Sequence, residues 1–267
     1  MRVPLARTYL AYERRFPIRR GKDRIAKLLT CAIGSVPLKA KCGPVLETLL
    51  DSQQDRALLR VDSSDRVLRE LSGLRSNGVF VDIGANTGLY SLLASRQLGP
   101  DGIVLCFEPS FREYRRLLQN IAINRARAVI PFNFALTNSS EIIELAVASG
   151  HTGLNSIQKS SRFEYASQPC PSFSFDLIWR SLFGDRAIDL VKLDVEGAEF
   201  KVLEGMKDTL SRALIKKLVV EITPGFLKSF GSDKESLYGL MEKLGYSPSY
   251  ADDSWQYDEV FAHKSCR

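Results

Sequence analysis

The chain has 267 residues, 45% of them hydrophobic, and carries a formal net charge of +6. That composition excludes a disordered or collagen-like polymer and fits a soluble globular protein of one large domain or one domain with an extension. No run approaches the roughly 18 apolar residues of a membrane-spanning helix, and no apolar core follows the N-terminal charges as in a secretory leader.

Residues 1–76 read as a basic, partly helical extension. Nine Lys or Arg face two acids in residues 1–29, whereas the remainder holds 28 basic and 29 acidic residues. The basicity therefore belongs to one arm, and a whole-molecule case for nucleic-acid binding fails. A solvated helical arm is the plain reading; peripheral contact with an anionic surface is the alternative. "DRIAKLL" has helical spacing. "PVLETLLDSQQDRALLRV" (44–61) is open between two short strands and one helix. "SDRVLREL" (64–71) reads as a helix with Ser64 as N-cap candidate.

A new rhythm starts at Val79, in the stretch 77–267. "VFVDI", "GIVLCFE", "AVIPFNFAL", "IDLVKLD" and "KKLVVEI" are nearly continuous apolar runs, and a helical pattern follows each of them except "AVIPFNFAL". Ser110 is the N-cap candidate of "FREYRRLLQNIAIN". Strands apolar on both faces that alternate with helices predict a doubly wound, mostly parallel sheet. Residues 139–184 interrupt the rhythm: "SSEIIELAVAS" is a candidate extra strand, 150–175 reads as loop, and "DLIWRSLF" is a short helix. The segment 246–264 reads as a terminal hairpin. Five cysteines at 31, 42, 106, 170 and 266, with no C-x-x-C pair, argue against a disulfide framework or zinc site and for a cytoplasmic setting.

In an open α/β sheet, ligands bind beyond the carboxyl ends of the strands. Asp82, Glu108 and Asp194 lie at or near three such ends. Glu108, twenty residues after Gly88, is placed to accept hydrogen bonds from ribose hydroxyls. The loop "DIGANTG" departs from G-x-G-x-x-G and has an acid before its first glycine, which disfavours a diphosphate and suits a cation. Ribose, adenine and a sulfonium or ammonium group together describe S-adenosylmethionine.

"VFVDIGANTGLYSLLA", "CFEPS", "NFALTN" and "IDLVKLDVEGAEFKVLEG" together resemble the FkbM family of S-adenosylmethionine-dependent methyltransferases, over roughly residues 78–247. The resemblance implies a class I methyltransferase (Rossmann-like) fold: a seven-stranded, mostly parallel sheet with helices on both faces and the last strand antiparallel. It implies O-methylation of a hydroxyl on a sugar, glycan or natural product, with no nucleic-acid partner. The cofactor residues it implies are Asp82, Gly84, Asn86, Gly88, Glu108, Asn133, Ala135 and Asp194. Asn138 stands where the family usually has an acid. A nicotinamide-dependent oxidoreductase and a non-catalytic cofactor-binding protein are the alternatives.

Catalytic candidates are Asp194, Lys192 and His151. Lys192 shares a strand face with Asp194 and either pairs with a carboxylate or sits near the methyl acceptor. His151 is either an exposed loop histidine or the base that takes the acceptor's proton. Glu196 and Glu199 either favour the positive end of the helix they open or bind substrate. Asn155 and Ser156 are candidate ligand contacts. Asp194, Glu196 and Glu221 offer oxygen donors, but their pattern does not compel a metal site.

Overall fold

The computed structural model describes residues 2–15, 21–148, 165–249 and 254–266. The N-terminal part begins with helices α1 (Arg2–Arg15) and α2 (Lys22–Ile33). A hairpin of β1 (Val36–Lys39) and β2 (Val45–Thr48) follows, then the short helices α3 (Gln53–Leu58) and α4 (Arg66–Leu71). The stretch open between two strands and a helix is thus one strand and one helix. Ser52 caps α3 by accepting from Asp55 N. Asp65, not Ser64, caps α4: its carboxylate accepts from Leu68 N, and an ionised cap there also meets the helix dipole.

This part is not a free arm. Ala6, Tyr9, Ala26, Val36, Leu38 and Leu50 form a small core of their own. Further along, Asn120 and Asn124 tie β2 to the helix that carries them. Asn120 Oδ1 accepts from Glu47 N at 2.7 Å. Asn124 exchanges bonds with both backbone atoms of Val45, at 2.9 and 2.7 Å.

Next come β3 (Val79–Ile83), α5 (Leu89–Gln97), β4 (Ile103–Phe107), α6 (Phe111–Asn124), β5 (Val129–Phe132), β6 (Ala135–Leu136), β7 (Glu141–Ala148) and β8 (Tyr165–Phe173). The chain continues through α7 (Phe175–Phe183), β9 (Ile188–Leu193), α8 (Glu199–Glu204), α9 (Lys207–Ser211), β10 (Ile215–Ile222), α10 (Pro224–Ser229), α11 (Lys234–Lys243), β11 (Tyr246–Pro248) and β12 (Tyr257–His263). The central sheet has the order β11-β12-β10-β9-β3-β4-β5. β5, β4, β3, β9 and β10 run parallel, and β12 lies antiparallel to both β10 and β11. The expected seven-stranded class I methyltransferase fold is what the chain adopts.

Alternation sorts the two faces. In β3, Val79, Val81 and Ile83 join one core layer, while Phe80 joins the other with Val104, Cys106 and Leu190. Every residue of β3 is buried, as a strand covered on both faces requires. The second face also carries Asp82 and Lys192, which the register sets side by side.

A separate three-stranded sheet, β6-β8-β7, occupies the interruption of the rhythm. β8 falls where the sequence reads as loop, because Pro169 and Pro171 argue against a strand. Two residues apart, they place their missing N–H groups along one edge and leave the other free to pair with β7. The run "AVIPFNFAL" is likewise split, β5 staying in the central sheet while β6 joins the small one. Among the described residues, no helix is long and apolar enough to cross a membrane.

Candidate active site

The order of the central sheet reverses between β3 and β9, and the loops leaving their carboxyl ends diverge there. A pocket opens at that point, enclosing about 920 Å³ when space open to solvent is counted. Its walls come from the loop after β3, the end of β4, strand β6, the end of β9, one residue of β7 and two residues of α3.

The loop after β3 is held at its root. Gly84 N and Ala85 N both donate to Phe107 O at 3.0 Å. Gly84 has φ +78°, and a Cβ there would lie 1.8 Å from Asp194 O; only glycine lets this turn lie against the end of β9. Gly88, at φ +87°, opens α5, and a Cβ on it would strike Leu117 Cδ1 at 2.3 Å. Asn120 Nδ2 donates to Thr87 O at 2.8 Å, so the residue that anchors β2 also steadies this loop.

Glu108 is 5% exposed and lines the pocket. Its Oε2 accepts from Asn86 N at 2.8 Å and its Oε1 from Ser110 N at 2.9 Å. Burial, with Glu113 adding repulsion, pushes its carboxyl up to about 8. Each oxygen keeps a lone pair for a further donor. Beside it, Phe134, Ala135, Leu136 and Leu145 form an apolar wall. Phe134 packs within a cluster that includes Phe107, Phe132 and Phe173, with ring centroids 5.1–5.5 Å away. Asn133 does not line the pocket; its amide donates to Glu108 O and Pro109 O and fixes the end of β4.

Asp82 also stays out of the lining. Fully buried, it accepts from Ser91 N at 3.1 Å and Ser91 Oγ at 2.6 Å. The cation it faces belongs to the protein: Lys192 Nζ lies 3.6 Å from Asp82 Oδ1, 3.0 Å from Asp194 Oδ2 and 3.3 Å from Gly84 O. Burial works against the Lys192 charge, but Asp194 and Asp82 outweigh it and raise its pKa. Lys192 is therefore held as an ammonium between two carboxylates. It is the only basic residue lining the pocket among the described residues, and it sits over the Tyr90 ring at 5.5 Å.

Asp194, Glu196 and Glu221 bring carboxylate oxygens within 4.8 Å of one another. Burial first, then the neighbouring carboxylates, raises Glu196 and Glu221. Glu199 lies just behind: its Oε1 caps the turn by accepting from Val195 N and Gly197 N, and burial lifts it to about 7. Asp258 is pushed up to about 6, by burial first and then by Asp194. Glu199 thus stabilises the turn that carries Glu196, whereas Glu196 and Asp194 line the pocket. Asn138 is exposed and remote, donating to Glu204 Oε2 at 3.0 Å. His151, Asn155 and Ser156 fall outside the described residues.

Sequence reasoning missed contributors from three elements. Tyr90 lines the pocket with its hydroxyl on Asp65 Oδ2 at 2.8 Å. Leu145 reaches in from β7. Gln54 and Leu58 come from α3, far upstream, and no local pattern marks them.

A doubly wound sheet with this strand order, an antiparallel β12 and a pocket at the reversal point define a class I methyltransferase fold. The Methyltransferase FkbM domain model matches residues 82–248, and the chain belongs to that family. Among curated relatives, methyltransferase sdnD of Sordaria araneosa is 30% identical over 180 residues, covering 57% of this chain and 69% of the relative. The 2-O-methyltransferase NoeI of Sinorhizobium fredii is 27% identical over 188 residues, covering 62% of this chain and 76% of the relative. A solved precorrin-6Y C5,15-methyltransferase of Geobacter metallireducens is 17% identical and covers 79% of this chain and 88% of its own, with a TM-score of 0.45.

Proposed function

We propose that the chain is an S-adenosylmethionine-dependent methyltransferase acting on a hydroxyl of a sugar, glycan or natural product. The observation that carries the reading is the make-up of one pocket. It joins a buried carboxylate with spare acceptor capacity at Glu108, an apolar wall at Phe134–Leu136, and an acidic mouth at Asp194 and Glu196. These fit, in turn, a ribose, an adenine and a cationic methionine end; the Lys192 ammonium offers the methionine carboxylate a partner. A diphosphate would meet Glu108, Asp194 and Glu196 instead, which disfavours a nicotinamide cofactor. The bound cofactor supplies an electrophilic methyl group.

The residues then have distinct tasks. Gly84 and Asn86 shape the loop, and Asp82 and Lys192 form a buried ion pair that holds Asp194 in place. Positioning of the acceptor oxygen in line with the methyl provides much of the rate. As that oxygen is alkylated its proton becomes strongly acidic, and Asp194, which lines the pocket beside Glu196 and Glu221, is placed to receive it. The similarity to NoeI, a 2-O-methyltransferase, supports oxygen as the acceptor atom.

Isothermal titration with S-adenosylhomocysteine and with NAD tests the cofactor; binding of NAD alone would overturn the reading. Transfer of labelled methyl to a panel of hydroxyl acceptors tests the chemistry. Transfer to amines but never to hydroxyls would remove the O-methyl assignment.

A further inference from the structure

A second concavity lies on the other side of α3. It encloses about 1060 Å³ by the same measure and is bounded by α1, β1 and the end of α3. Five of its nine lining residues are basic (Arg7, Arg14, Lys39, Arg56 and Arg60), the other four are Leu or Ala, and none is acidic.

The local ion pairs do not cancel this charge. Glu13 is engaged by Arg56 Nε at 2.9 Å and Arg60 Nη2 at 2.7 Å. The Arg56 side chain is only 7% exposed and also donates to Leu50 O, so it is a fixed part of the floor. Arg7, Arg14 and Lys39 are exposed and make no ion pair among the described residues. Arg7 and Arg14 are seven apart on α1 and so share a face, and Lys39 ends the strand alongside. Cations gathered in a concave site with apolar walls focus positive potential, and an anion entering it meets several donors at once.

We propose that this groove binds a phosphate or diphosphate group. α3 is one short helix, with Gln54 and Leu58 lining the methyl-transfer pocket and Arg56 lining the groove, which Arg60 joins just beyond the helix end. The two sites thus lie on either side of one short helix. Resting on the reading of that pocket given above, the groove tethers a phosphate-bearing acceptor while its hydroxyl reaches the pocket. Such a group belongs either to a soluble sugar phosphate or to a lipid headgroup.

The test is titration of the full chain with inorganic pyrophosphate, alongside co-sedimentation with phosphatidylglycerol and phosphatidylcholine vesicles. The variant is Arg7→Ala/Arg14→Ala/Lys39→Ala; Arg69→Ala/Arg115→Ala/Lys243→Ala removes the same charge elsewhere. Pyrophosphate binding should fall about tenfold or more in the groove variant, roughly 1.4 kcal/mol, and stay near wild type in the control variant. Loss of phosphatidylglycerol binding in the groove variant alone assigns the group to a headgroup; pyrophosphate binding without vesicle binding assigns it to a soluble acceptor. Equal losses in the two variants, or no binding of either probe by wild type, overturns the proposal. S-adenosylhomocysteine affinity should be the same in all three proteins. Its loss in wild type would instead refute the cofactor assignment and leave the phosphate result standing.

Discussion

The two sides of α3 solve opposite electrostatic problems. Toward the central sheet, acids outnumber cations: Asp82, Asp194, Glu196 and Glu221 cluster around one Lys192. Toward α1 and β1, cations outnumber acids, and Glu13 is shared between two arginines. Burial on the acidic side raises Glu196 and Glu221; on the basic side Arg7, Arg14 and Lys39 are open to water, so their charges remain screened and cheap to keep. One face is arranged for a cation held tightly, the other for an anion held by many weak contacts.

The strongest way to break this comparison is to separate the two regions. Arg116 of α6 pairs with Asp55 of α3, with 6% and 3% of their side chains exposed, and also donates to Glu47 O at 2.7 Å. Arg116→Ala strands a buried carboxylate and should cost about 3–5 kcal/mol, read from urea midpoints. A loss under about 1 kcal/mol would mean the N-terminal part is docked mainly by its apolar contacts and the Asn120 and Asn124 hydrogen bonds. Next in size, Glu108→Ala should weaken S-adenosylhomocysteine binding about tenfold to a hundredfold, on the scale of two lost hydrogen bonds. Unchanged affinity in calorimetry would remove Glu108 from the site.

A third test concerns the excess of buried acids. Glu199 and Glu108 titrate at about 7 and about 8 when folded, against an ordinary 4.5. The folded state binds more protons than the unfolded state across that window. The stability these acids contribute is therefore full below about 4.5 and is lost as pH rises through 7 and 8. Stability without ligand should fall between pH 5 and pH 9, and Glu221→Gln should recover about 1 kcal/mol at the alkaline end while lowering methyl transfer. A flat profile in wild type would show that the acids are hydrated. The smallest effect is expected for Asn138→Asp. It restores the acid usual in the family, but at an exposed place beside Glu204, so cofactor affinity should not change and stability should move by about 0.5 kcal/mol or less. A tenfold gain in affinity would bring that position into the site.

Legibility in the sequence followed burial. β3, β4, β9 and β10 are near-continuous apolar runs because both faces are covered, and their ends could be marked with their acids. β8 was hidden by Pro169 and Pro171, whose cost disappears only because one edge of that strand needs no donors there. Ser64 and Asp65 are both acceptable caps; Asp65 takes the role in an extended conformation, while Ser64 Oγ donates to Asp62 Oδ1 at 2.7 Å. Glu108 was legible from its spacing to the glycine loop. Asp82 is legible as an acid suited to a cation, but the cation it meets is Lys192. The register that pairs it with Lys192 on the adjacent strand has no trace in either local pattern.

The order of apolar runs, helices and glycines determined the class of fold and the edge of the sheet that carries the pocket, because burial on both faces and a left-handed turn each demand particular residues. Only the tertiary structure decided which charges meet. Asp82 and Lys192 are 110 positions apart, and Gln54 precedes Asp194 by 140, yet strand register joins the first pair and the docking of α3 brings the second to one pocket. Electrostatic energies depend on distance in space and on burial, and neither is written in the spacing of residues along the chain.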